Sequence, residues 1–106
     1  MVSTVNRLLR KNDVGAMHGI EGYLFGSAVV DDQPRDIDIL LIYDPEQFSV
    51  DHSIGFRRRI RELLTNATGL LADIVLLSIR EAEETRFLDQ IHAVPLLTES
   101  GAVDED

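Results

Sequence analysis

The chain has 106 residues, with 19 acidic against 10 basic side chains and a formal net charge of -9. That length suits one domain with one core, and a field of this sign repels nucleic acid, which argues against a processive polymerase and against phosphate-backbone binding as the main business. Cysteine is absent, which removes disulfides, thiolate catalysis and cysteine-rich zinc sites; the start, Met1 to Lys11, lacks the apolar stretch of a signal peptide, and no run approaches the length of a membrane span. The expectation is a soluble cytoplasmic protein with no membrane partner.

Ser3 or Thr4 can cap a first helix in which Val5, Leu8 and Leu9 share a face, ending before Val14-Gly15. Gly15, Gly19 and Gly22 punctuate the approach to a short buried strand, Tyr23-Leu24-Phe25. Gly26 then permits a tight exit, and Ser27 can cap a short helix running through Ala28 to Asp31. Free amides at such a helix start attract anions. Asp31-Asp32-Gln33-Pro34 reads as a turn.

Asp36-Ile37-Asp38 opens the next element. Ile37 to Tyr43 is rich in isoleucine and leucine, free of glycine and proline, and closed by Asp44-Pro45, so it reads as a strand whose side chains alternate faces. Asp36 and Asp38 therefore point the same way. Two carboxylates side by side repel each other and lose hydration unless a cation sits between them, and a hard, oxygen-liganded ion such as Mg2+ suits them. The bland reading is a pair of acids capping a strand end at the surface, and for Gly26-Ser27 an ordinary helix cap. The order strand, Gly-Ser, helix, strand opening on Asp-x-Asp is restrictive enough to favour a metal site for phosphate chemistry.

From about Val50 to Thr68 the spacing of Phe56, Ile60, Leu63, Leu64 and Ala67 predicts an amphipathic helix stopped by Gly69. Arg57, Arg58, Arg59 and Arg61 fall mostly on its solvated sides, where such a cluster serves solubility and ion pairing or docks a partner. Leu71 to Leu77 reads as a third strand carrying Asp73. Ser78 with Glu81 forms a capping box for a final helix whose buried side is Phe87, Leu88, Ile91 and Val94. Pro95 to Thr98 can add an edge strand, and the acidic stretch from about residue 101 to 106 reads as a mobile tail. His18, His52 and His92 show no metal-ligand spacing. Strands alternating with helices give a small α/β or α+β fold, a sheet covered by helices in one domain over residues 1–106.

The chain resembles the minimal nucleotidyltransferase domains of the DNA polymerase beta superfamily. The matching residues are Leu24-Phe25-Gly26-Ser27, Asp36-Ile37-Asp38-Ile39-Leu40 and Leu71-Ala72-Asp73-Ile74-Val75-Leu76, and Ser78 to Leu97 looks like the tail of the stand-alone bacterial members. The resemblance implies a nucleotidyltransferase fold with a mixed sheet and the acids of two neighbouring strands at one edge. It implies Asp36, Asp38 and Asp73 as catalytic residues holding two Mg2+ ions, with Asp73 helping to activate the acceptor, and Gly26 and Ser27 as contacts to nucleotide phosphates. One departure is plain: Val29 and Val30 stand where members commonly carry an arginine or lysine, leaving Arg35 as the nearby cation in sequence. The implied reaction is transfer of a nucleoside monophosphate from a triphosphate, ATP in the first instance, to a hydroxyl of a protein or small molecule. Stand-alone members often act as antitoxins that adenylylate a helical toxin, so the expected partner is a helical protein, with a second copy of this chain as the alternative. Two other readings remain: a catalytically weak protein that acts by docking, and a nucleotidyltransferase for small molecules such as aminoglycosides.

Overall fold

The structure, a computed structural model, describes residues 1–12 and 19–96. Its elements in chain order are α1 (Val2–Lys11), β1 (Ile20–Phe25), α2 (Ser27–Val30), β2 (Asp36–Tyr43), α3 (Val50–Thr68), β3 (Leu71–Ser78), α4 (Ile79–Thr85), α5 (Phe87–Gln90) and β4 (Val94–Leu96). They build a compact mixed α/β domain around a four-stranded sheet in the order β3-β2-β1-β4. β1 runs antiparallel to both β2 and β4, while β2 and β3 are parallel. The parallel pair needs a long crossover, which α3 supplies.

β2 is central, and its alternation decides which face is which. Ile37, Ile39, Leu41 and Tyr43 join a core with Leu24 of β1, Ala72 and Ile74 of β3 and Leu96 of β4. Over this face lie Val5 and Leu9 of α1 and Phe56, Ile60 and Leu64 of α3. The even-numbered residues of β2 turn to the other face, where Leu40 and Ile42 are also buried and where α4 packs against β2. Asp36 and Asp38 occupy the end of that second face.

Several expected boundaries move. α1 starts at Val2 with Met1 in the cap position and no side-chain cap, so Ser3 and Thr4 lie inside the helix. The first strand is longer than expected and begins at Ile20. α3 matches its expected span, with Ser49 Oγ accepting from the His52 N–H (3.1 Å) and Gly69 ending it at φ 76°. Ala67, expected on the buried stripe, is exposed because the helix turns it away from the core. Arg59, rather than lying wholly in solvent, donates from Nη2 to the Asn12 carbonyl at 3.0 Å, satisfying a backbone group at the end of α1.

The final helix is also corrected. The capping box forms as expected, with Ser78 Oγ accepting from the Glu81 N–H (3.1 Å) and Glu81 Oε1 from the Ser78 N–H (2.9 Å). The helix then breaks at Arg86, which adopts φ 53°, and α5 is a separate turn. Phe87 is thereby delivered to Phe25, their rings meeting edge to face at 5.7 Å. Val94 is not on that helix but opens β4, an edge strand hydrogen-bonded to β1 that starts one residue before the expected Pro95; Leu97, Thr98 and the acidic tail lie outside the described residues, as do Gly15 and His18. Among the described residues no helix is long and apolar enough to cross a membrane.

Candidate functional site

The site is assembled where β1 ends and β2 begins. Phe25 pairs with Asp38 across the antiparallel ladder, and Asp38 pairs with Asp73 across the parallel one. Residues in register on neighbouring strands share a face, so Asp38 is flanked by Asp73 on β3 and by Asp36 two positions back on its own strand. The structure thus brings all three predicted acids to one end of one face.

The electrostatics reflect this placement. The Asp38 carboxyl is pushed up from the usual carboxylate range, first by its partial burial and then by the negative charges of Asp36 and Asp73. Asp73 itself is exposed although its strand is otherwise apolar. The alternation of β3 explains this: Ala72 and Ile74 go to the core and Asp73 to the open side. Among the described residues, no hydrogen bond or ion pair neutralises any of the three. Tyr23, on the same face, is held protonated: burial, the hydrogen bond to Glu21 (2.9 Å) and the Glu21 charge push its hydroxyl up to about 12.

Gly26 adjoins the acids directly. It sits at φ 73°, ψ -156° in the cap position of α2, and a Cβ built there would collide with the Asp38 carboxylate. Its side-chain-free surface is what lets the turn lie against Asp38. Ser27 differs from expectation. It is the first residue of the helix rather than its cap, its hydroxyl makes no cap hydrogen bond, and the helix ends at Val30. Val29 packs partly against the core, whereas Val30 is 85% exposed.

All-oxygen donors of this charge suit a hard divalent cation such as Mg2+. As positioned, however, no three His, Cys, Asp or Glu side chains among the described residues are gathered closely enough to close round a metal ion.

A groove of about 340 Å3 begins at the same turn, lined by Phe25, Gly26, Val29, Val30, Ile91 and His92. Ile91 and His92 are brought to it by the break at Arg86, and no local spacing in the sequence signals their approach to Gly26. His52 is exposed on α3, away from this turn. No protein-family model, no curated protein and no solved structure matches this chain.

Proposed function

We propose that this protein is a nucleotidyltransferase, moving a nucleoside monophosphate from a nucleoside triphosphate, ATP in the first instance, to a hydroxyl on a protein or small-molecule acceptor. The observation that carries the reading is the placement of Asp36, Asp38 and Asp73 side by side on adjacent strands, hard against a glycine turn, with the proton affinity of Asp38 raised by its partial burial and then by its two neighbours. Three carboxylates at one end of one sheet face, without a cationic side chain bonded to any of them among the described residues, favour binding of a divalent ion round which their side chains would have to close. Asp36, Asp38 and Asp73 would hold Mg2+, which when bound supplies charge neutralisation and orientation of the phosphates.

In the transfer the acceptor oxygen forms a bond to the α-phosphorus, the bond from that phosphorus to the bridging oxygen breaks, and pyrophosphate leaves. Asp73, exposed and beside Asp38, is the carboxylate that takes the hydroxyl proton. The Gly26–Ser27 turn offers its backbone to the phosphates at close range, since no side chain stands on Gly26. Among protein acceptors, a helical toxin-like protein is the first candidate and a second copy of this chain the next.

The test is incubation with α-labelled ATP, Mg2+ and candidate acceptors. Label is expected on the acceptor, with Asp38→Asn losing at least about a hundredfold in rate. Absence of transfer across acceptors, combined with no magnesium-dependent nucleotide binding, overturns the proposal. The exposed, apolar Val30 supports a second reading, in which the same domain acts by docking alone. In that case Asp36→Asn and Asp38→Asn leave partner neutralisation intact, whereas an enzyme loses it.

A further inference from the structure

The groove beside the acids differs from them in chemistry. Its walls are almost wholly carbon, from Phe25, Val29, Val30 and Ile91, and among the described residues that line it only His92 has a side chain with polar atoms. Among the described residues, no carboxylate, amide, hydroxyl or guanidinium side chain lines it. Yet it shares Gly26 with the acid cluster, and Phe25 is the register partner of Asp38. Any ligand whose phosphates lie over Asp36 and Asp38 therefore finds an apolar slot next to them. The slot falls in the size range of small-molecule sites. Its Phe25 ring is fixed by the edge-to-face contact with Phe87 at 78°, so that wall is in place before a ligand arrives.

A site discriminates strongly between similar ligands when it hydrogen-bonds their polar edges, because the wrong ligand leaves buried polar groups unpaired. Apolar walls and ring faces do not. They accept any flat heteroaromatic body, since every base has a π-face to stack. We propose that this groove receives the base and ribose of the substrate nucleotide without reading base identity, so that the protein takes purine and pyrimidine nucleoside triphosphates alike. The inference rests on the nucleotidyltransferase reading and sets the breadth of its substrate class. Purines bind somewhat more tightly because they cover more apolar wall.

Calorimetry of the full chain with excess MgCl2 tests this, using the α,β-methylene analogues of ATP, GTP, CTP and UTP, with inorganic tripolyphosphate as the ligand lacking a base. The expected result is binding of all four nucleotides with dissociation constants within about fivefold. Val30→Ser and His92→Ala, both at exposed positions, each weaken all four by about three- to tenfold in parallel and leave tripolyphosphate unchanged. A preference above about tenfold for one base overturns the inference while leaving the nucleotide reading in place. Nucleotide affinities indifferent to both substitutions place the base elsewhere and also overturn it. Failure of every nucleotide and of tripolyphosphate to bind removes both the inference and the reading beneath it.

Discussion

Gly26 shows how much one residue without a side chain can decide. Positive φ with ψ near -156° is a conformation that essentially only glycine adopts, and the space a methyl would need is taken by the Asp38 carboxylate. Gly26→Ala is expected to cost about 1–3 kcal/mol from the backbone alone, read as a lower urea midpoint with unchanged slope. Asp38 makes the opposite prediction. Its folded-state pKa lies above the unfolded one, so folding takes up a proton between the two values, and this group's contribution to stability falls as pH rises through that interval. At neutral pH the penalty on the charged carboxylate, from its partial burial and then from its two acidic neighbours, is fully present. Asp38→Asn removes it, and without Mg2+ the melting temperature at about pH 7 should rise by up to about 5 °C. The gain should shrink towards about pH 4 as the wild-type carboxyl regains its proton; a substitution that destabilises at neutral pH would contradict the crowding.

Among the elements, the α4–α5 segment is where sequence and structure part. The capping box was legible because its donors and acceptors are local, and so were α3, from its stripe and Gly69, and β2, from its alternation. The break at Arg86 carries no such mark. It holds a non-glycine residue in the left-handed region at φ 53°, with an exposed ion pair to Asp89 at 3.6 Å. What compensates is long-range: the turn aims Phe87 at Phe25 and frees Val94 to extend along β1, contacts that local spacing cannot encode. Similarly, parity within β3 places Asp73 on the open face, but its pairing with Asp38 depends on a register set by the whole sheet. Arg86→Gly should stabilise the protein by about 0.5–1 kcal/mol, because relief of the left-handed conformation outweighs loss of a surface ion pair. Chemical denaturation measures this, and a loss of stability would show that the Arg86 side chain contributes more than its backbone costs.

At the scale of the whole molecule the acidic excess and the acid trio are separable. A net charge of -9 makes the folded chain repel itself, and any salt weakens that repulsion by screening. A site built from Asp36, Asp38 and Asp73 would respond to the divalent ion specifically, because a ligand that binds only the folded state stabilises it by mass action. At matched ionic strength, MgCl2 at about ten times its dissociation constant should therefore raise the melting temperature roughly 5–10 °C beyond NaCl. In the triple variant Asp36→Asn, Asp38→Asn, Asp73→Asn the two salts should act alike, although the variant itself melts higher in the absence of magnesium. Equal effects of the two salts on the unaltered chain would mean that the three carboxylates respond to charge in general and grip no ion.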